Sequence, residues 1–176
     1  MSDWRKSKAY GNTAENIVEM LIKSMPDWKC IRFGVENHIE ELKKVVRKDI
    51  NDVTRKIKSM PDFIAFNEKT GKTIFIEAKY RSTITEKTKY SFGYKRLNEY
   101  LEYWKGTKLI IILPFDPYFV FIDLDKVDNK MRNPIQVNQE WVDYWDFGKI
   151  QQNIKELFPE LEEEYLKIAI DLIPSS

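Results

Sequence analysis

The sequence predicts an α/β fold, and two observations carry that prediction. Two apolar runs rich in β-forming residues, 60–66 and 73–79, flank a turn at 69–72 and predict a β-hairpin. Helical patterns precede and follow the hairpin, and another apolar run at 109–113 comes after the second helix. Such an order of helices and strands is typical of a sheet covered by helices.

The chain before the hairpin contains one clear amphipathic helix. Residues 1–10 are polar and basic and are expected to form an arm that is ordered at most on contact. The helix is predicted to begin at Asn12 or Thr13, both of which suit an N-cap, and to end before Pro26. A strand is predicted at 28–35, and a charged, helical, basic insertion at about 36–59.

After the hairpin, 80–93 shows no regular period and is predicted to be a loop, followed by a helix at 94–105 that Gly106 ends. Apolar runs at 109–113 and 118–122 predict buried strands. In the second, Phe119 and Phe121 must be covered by more chain or by a second subunit, which suggests a homodimer. The acidic, aromatic extension 123–176 is predicted to end in a helical tail.

Length and composition favour a single domain of 176 residues. No apolar run reaches the ~20 residues that a membrane span needs, and the N-terminus lacks a signal-peptide pattern. We therefore expect an intracellular, cytoplasmic protein without a membrane partner. The single Cys30 excludes an internal disulfide framework and a multi-cysteine zinc site.

Charge is distributed unevenly along the chain. Residues 1–108 carry 23 Lys and Arg against 15 Asp and Glu, whereas residues 109–176 carry 6 against 13. A basic half suits a polyanion such as DNA, although the same cations can simply be solvated helix faces. The candidate DNA-binding residues are Lys43, Lys44, Arg47, Lys48, Arg55, Lys56, Lys58, Arg81, Lys87 and Lys89.

Acidic residues and a lysine mark the ends of the hairpin strands. Asp62 opens the first strand, and alternation along the second strand places Glu77 and Lys79 on one face, roughly 6–7 Å apart. Glu15 lies at the margin of the apolar stripe of the first helix. Carboxylates of this kind suit Mg²⁺, with Mn²⁺ as an alternative, and a nearby lysine can orient a water molecule.

These residues resemble the motif of the PD-(D/E)xK nuclease superfamily: Pro61-Asp62, fourteen intervening residues, then Glu77-Ala78-Lys79. Glu15, in a helix after Gly11-Asn12-Thr13-Ala14, resembles the extra acid of archaeal Holliday-junction resolvases and of some restriction enzymes. The resemblance covers about residues 11–122 and implies a restriction-endonuclease-like αβββαβ core there, with a mixed central sheet flanked by helices.

The same resemblance implies Mg²⁺-dependent hydrolysis of DNA, double-stranded or branched, and a homodimer. Asp62 and Glu77 would be metal ligands, Lys79 the water-positioning or basic residue, and Glu15 an auxiliary ligand. The insertion at 36–59 and the extension after Asp123 depart from the resolvase pattern.

Two other functions remain open at the level of sequence. The basic segment 36–59 also suits a nucleic-acid-binding module that does not hydrolyse its ligand. The acidic extension and the run 118–122 would suit an assembly subunit. Each site residue also has a purely structural alternative: Lys79 as an edge-strand lysine, Glu77 as its surface ion-pair partner, Asp62 as a turn residue and Glu15 as a helix-dipole partner.

Overall fold

The structure is a computed structural model that describes residues 3–33, 51–82, 89–92, 96–137 and 140–174. Its helices are α1 (Asp3–Ser24), α2 (Asp52–Lys58), α3 (Arg96–Tyr103), α4 (Ile154–Leu157) and α5 (Glu163–Asp171). Its strands are β1 (Trp28–Arg32), β2 (Phe63–Asn67), β3 (Thr73–Tyr80), β4 (Lys89–Phe92), β5 (Thr107–Ile112), β6 (Phe119–Asp123), β7 (Arg132–Val137), β8 (Glu140–Asp146) and β9 (Gln151–Asn153).

Within the described ranges, the strands form two sheets. The larger sheet has six strands in the order β1-β2-β3-β5-β6-β9, and the smaller sheet has the order β4-β8-β7. β3 and β5 are parallel, whereas the other neighbours in the larger sheet are antiparallel. The prediction of an α/β fold with a mixed central sheet is confirmed.

Both faces of the larger sheet are covered, as the apolar run in β5 shows. Ile110 and Ile112 face a core that includes the apolar side of α1, whereas Leu109 and Ile111 face a core that includes α3. All four side chains are at most 1% exposed. A strand that is buried on both faces needs apolar residues at consecutive positions, which explains why this run does not alternate.

The predicted hairpin is present as β2 and β3. The side-chain carbonyl of Asn67 accepts hydrogen bonds from the backbone N–H groups of Lys69 and Thr70, at 3.0 and 2.9 Å, and so closes the turn. Gly71 follows with φ of 72°, a conformation that glycine adopts without steric cost. Phe63 pairs with Ile76, which sets the register of the two strands.

The prediction for the N-terminus was wrong, because α1 already begins at Asp3 and runs through Gly11. Neither Asn12 nor Thr13 caps the helix, and the Thr13 hydroxyl donates to the carbonyl of Ala9 at 3.0 Å. One glycine inside a helix costs only about 1 kcal/mol. A tertiary contact stabilises this end, since the Tyr10 ring stacks on Tyr80 at a centroid distance of 4.9 Å.

The predicted loop at 80–93 contains strand β4, which pairs with β8 more than fifty residues later in the chain. Tyr90 anchors this strand, since its side chain is 1% exposed and its ring stacks on Phe147. The Tyr90 hydroxyl donates a hydrogen bond to Gln151 Oε1 at 2.7 Å. The extension after Asp123 is not only a helical tail, because it contributes β7, β8 and β9. Of the predicted insertion, residues 51–59 are described and include α2, whereas 36–50 lie outside the described residues.

Phe119 and Phe121 are covered by the chain itself. They are 4% and 5% exposed and belong to the same core as α1. The reason for expecting a subunit interface at β6 therefore disappears. In the part of the chain that the structure describes, no helix is long and apolar enough to span a lipid bilayer.

Two glycines provide a matched test of the backbone. Gly11→Ala should raise the free energy of unfolding by about 1 kcal/mol, because Gly11 lies inside α1 and no atom lies within 4 Å of the place that a Cβ would occupy. Gly106→Ala should lower it by about 1 kcal/mol, because Gly106 has φ of 83° and equally open surroundings. Urea denaturation measures both changes, and equal signs would contradict the backbone conformations described.

Candidate active site

The pairing of β2 with β3 places two acidic residues opposite each other. Phe63 pairs with Ile76 in an antiparallel register, so the next positions outward are Asp62 and Glu77. Asp62 Oδ2 accepts a hydrogen bond from the backbone N–H of Ala78 at 2.8 Å, which ties the first acid to the strand of the second. Asp62 is 8% exposed and Glu77 is fully buried.

The side chain of Lys79 completes this group. Its ammonium donates hydrogen bonds to Glu77 Oε1 and, at 3.1 Å, to the carbonyl oxygen of Ala78. The same nitrogen lies 3.8 Å from Asp62 Oδ2. One cationic nitrogen is therefore surrounded by three oxygen atoms from three residues.

The structural alternatives for these residues do not fit their positions. β3 lies between β2 and β5, so Lys79 is not an edge-strand lysine. Glu77 is fully buried, so its contact with Lys79 is not a surface ion pair. Asp62 is not only a turn residue, because its carboxylate accepts a hydrogen bond from the backbone N–H of Ala78 on the neighbouring strand β3. The sequence-predicted trio of Asp62, Glu77 and Lys79 is brought together.

The electrostatic environment of Asp62 is unfavourable to its charge. Burial raises the pKa of Asp62 to about 7, and the negative charges of Glu77 and, to a smaller extent, Glu15 act in the same direction. The Lys79 ammonium and the Ala78 N–H lower the pKa in part. Two carboxylates held in one buried place create a position that favours an added cation.

Glu15 lies beside this trio and is held by Arg32, a residue that sequence reasoning missed. Arg32 Nη1 donates to Glu15 Oε2 at 3.1 Å, and the same guanidinium donates to Glu19 and Asn16 at 2.8 and 2.6 Å. Arg32 is the last residue of β1. The backbone N–H of the next residue, Phe33, donates a hydrogen bond to the carbonyl oxygen of Asp62 at 2.7 Å, which places Arg32 close to Asp62 in the fold. The sequence showed only a basic residue in a predicted strand that follows a helix with acids four residues apart, and the contact depends on the pairing of that strand beside Asp62.

The predicted DNA-binding residues divide into two groups. Arg55, Lys56 and Lys58 are exposed on α2, and the chain runs from there directly into Asp62. Arg81 follows β3, and burial lowers its pKa while the charge of Glu77 raises it. Lys89 begins β4. The other five, Lys43, Lys44, Arg47, Lys48 and Lys87, lie outside the described residues.

The α2 helix is attached on the side of the sheet that carries the trio. The Trp104 Nε1–H donates to the Lys56 carbonyl at 3.1 Å, and the Lys56 ammonium lies 5.7 Å from the Trp104 ring centroid. Trp104 also contacts Phe75 at a centroid distance of 5.5 Å. Phe75 lies two residues before Glu77 on β3, so α2 lies over the face of the sheet to which Glu77 belongs.

The donor set of the trio fits a hard divalent cation. Among the residues that the structure describes, no three His, Cys, Asp or Glu side chains form a metal-binding group. Mg²⁺, however, commonly takes one or two protein carboxylates and keeps several waters. Asp62 and Glu77 supply two carboxylates, and the ammonium of Lys79 already lies among their oxygen atoms, which is where a cation is attracted.

Comparisons of the chain with protein-family models, with curated proteins and with solved structures find no match. The resemblance to the nuclease motif therefore stays a prediction from the residues. Function has to be inferred from the chemistry of Asp62, Glu77 and Lys79.

The raised pKa of Asp62 predicts an unusual dependence of stability on pH. The folded protein keeps a proton on Asp62 between about pH 4 and 7, where the unfolded chain releases it, so this group's contribution to stability falls as pH rises through that range. A shift from 3.8 to about 7 corresponds to at most about 4 kcal/mol. Asp62→Asn should therefore raise the free energy of unfolding at pH 8 without metal, and the gain should vanish below pH 4.

The control for this experiment is Asp171→Asn, which makes the same chemical change, from carboxylate to amide, at an exposed position on α5. Urea denaturation of the two variants at pH 4, 6 and 8 gives the comparison. A stability gain for Asp62→Asn that does not depend on pH would contradict the electrostatic explanation.

Proposed function

We propose that this protein is a metal-dependent endonuclease that hydrolyses phosphodiester bonds in DNA. The observation that carries the proposal is the group formed by Asp62, Glu77 and Lys79, in which two buried carboxylates and one ammonium meet. Metal-assisted hydrolysis of a phosphodiester uses a divalent cation, and a positive group beside the reacting water stabilises the charge that develops. Residues of one hairpin would hold the divalent cation and supply the positive group.

The order of elements supports the same proposal. Leaving out α2 and β4, the chain runs α1-β1-β2-β3-α3-β5, and β3 and β5 are parallel neighbours. This order agrees with the restriction-endonuclease-like αβββαβ core that the sequence motif implies. The trio lies at the ends of neighbouring strands, where β2 begins and β3 ends.

Each residue has a proposed role. Asp62 and Glu77 would hold Mg²⁺, or Mn²⁺ in its place, with Glu15 as an auxiliary acid. When bound, the ion supplies a more acidic water and neutralises charge on the phosphate. Lys79 would orient the attacking water or donate a hydrogen bond to a phosphate oxygen. The oxygen of the water forms a bond to phosphorus and gives up a proton to solvent, and the bond from phosphorus to the leaving oxygen breaks, with that oxygen taking a proton from another water molecule.

The protein's own charges suit the polyanionic substrate. The cations of α2 and Arg81 lie in the chain directly before and after the acids of the trio. Phosphate contacts of this kind hold the backbone near the acids without reading the base sequence. We further propose a preference for branched DNA, because Glu15 in α1 matches the resolvase pattern.

A cleavage assay tests the proposal. We expect the purified chain to cut DNA with Mg²⁺ or Mn²⁺ and not with EDTA, and to cut a four-way junction or a flap faster than a linear duplex. Glu77→Gln and Lys79→Met should each reduce the rate by more than about 100-fold, because each removes a charge that the reaction needs. Asp171→Asn serves as the control and should cut like the unaltered protein.

Three outcomes would contradict parts of this proposal. Activity that survives Glu77→Gln would remove the site assignment. Salt-dependent DNA binding without cleavage under any divalent cation would instead favour a nucleic-acid-binding module on the same fold. Equal rates on linear and branched substrates would contradict the preference for branched DNA.

The pH dependence of metal binding is a separate prediction. Metal binds the ionised form of Asp62, so the affinity for Mn²⁺ should fall about tenfold per pH unit below pH 7. Calorimetric titration between pH 5.5 and 8 measures this. In Glu77→Gln the decline should begin at a lower pH, because the charge that helps to raise the pKa of Asp62 is gone. A decline that starts only near pH 4 in the unaltered protein would contradict the assignment.

A further inference from the structure

The direction of α1 relative to the sheet can be read from contacts at its two ends. Tyr10, in the N-terminal half of α1, stacks on Tyr80, which is the last residue of β3 and follows Lys79. At the other end, Trp28 comes shortly after α1 and pairs with Asn67 beside the hairpin turn. The helix therefore starts at the edge of the sheet that holds the trio and runs toward the turn.

The first turns of α1 extend past that edge. Tyr10 lies seven positions after Asp3, so at 1.5 Å per residue about 10 Å of helix precede the residue that stacks on Tyr80. Lys8 and Ala9 in this segment are exposed. Residues 3–10 of the arm expected from the sequence thus belong to a regular helix with a defined direction.

One face of α1 connects this projecting part with the site. At 100° per residue, positions 8, 12, 15 and 19 lie within about 60° of one another on the helix surface. Glu15 and Glu19 on this face both receive hydrogen bonds from Arg32, so the face is turned toward the end of β1, beside Asp62. Asn12 and Lys8 continue the same face away from the sheet, and both are exposed.

We propose that this face of α1 binds the DNA backbone next to the cleaved bond, with Lys8 contacting a phosphate and Asn12 available as a neutral donor. The inference rests on the proposed nuclease function and names a substrate-contact surface outside the predicted set of DNA-binding residues. Seven residues from Glu15 to Lys8 span about 10 Å, which equals the axial rise of about three nucleotides.

Charge reversal at two lysines tests the proposal. Lys8→Glu changes the proposed contact, and Lys69→Glu changes an exposed lysine in the hairpin turn at the opposite edge of the sheet. Both variants have the same net charge, so a general weakening of attraction affects them equally. Binding of a fluorescent junction and a fluorescent duplex is followed by anisotropy with Ca²⁺ in place of Mg²⁺, at four salt concentrations, and circular dichroism checks the fold.

We expect Lys8→Glu to weaken binding at least about tenfold more than Lys69→Glu. In Lys8→Ala the slope of log affinity against log salt should decrease in magnitude by about one, the value for removal of one phosphate contact, whereas Lys69→Ala should leave it unchanged. Phosphate-ethylation interference gives the position of the contact. The phosphate whose ethylation weakens binding of the unaltered protein but not of Lys8→Ala should lie within about three nucleotides of the cut.

The outcomes separate this inference from the function on which it rests. If the unaltered protein binds and cuts DNA but the two charge reversals weaken binding equally, the α1 surface is overturned and the nuclease proposal stands. If the unaltered protein neither binds nor cuts DNA, both are overturned. A greater effect of Lys8→Glu, with unchanged slopes for Lys69→Ala, supports the surface.

Discussion

The register of β2 against β3 is the constraint on which the rest of the site depends. Side chains alternate along a strand, so a slip of one residue would turn Glu77 into the core beneath α1 and turn Ile76 toward the site. The core prevents this, because Ile76 is fully buried on the α1 side. The closed turn at Asn67 holds the same register from the other end. Folding and site geometry are therefore decided by the same pairing.

The site is electrostatically costly without a bound cation. Asp62 and Glu77 are both buried, and Lys79 neutralises only one of the two charges that they would carry. Arg32 limits the further repulsion from Glu15 by pairing with it. Proteins keep such destabilising groups where a ligand or a reaction uses them, which is the reason for reading this group as a site.

The local parts of the fold could be predicted from the sequence, and the parts that depend on distant partners could not. The hairpin, the buried strand β5 and the glycine after α3 follow from turn residues, from apolar runs and from backbone preference. Strand β4 is too short to show a recognisable pattern of its own. It forms by pairing with β8, which lies far along the chain, and a local pattern cannot reveal that pairing. The early start of α1 depends on the contact between Tyr10 and Tyr80, which no local pattern reveals.

Asp62, Glu77 and Lys79 could be found from alternation along the strands, whereas Arg32 required knowledge of which strand lies beside Asp62. The central claim is that the trio forms a cation site, and anomalous diffraction from a crystal soaked in Mn²⁺ tests it most directly. We expect one strong peak at about 2.2 Å from carboxylate oxygens of both Asp62 and Glu77, with the Lys79 ammonium moved away. Absence of a peak there at millimolar Mn²⁺ and pH 8, with Lys79 still bound to Glu77, would contradict the account.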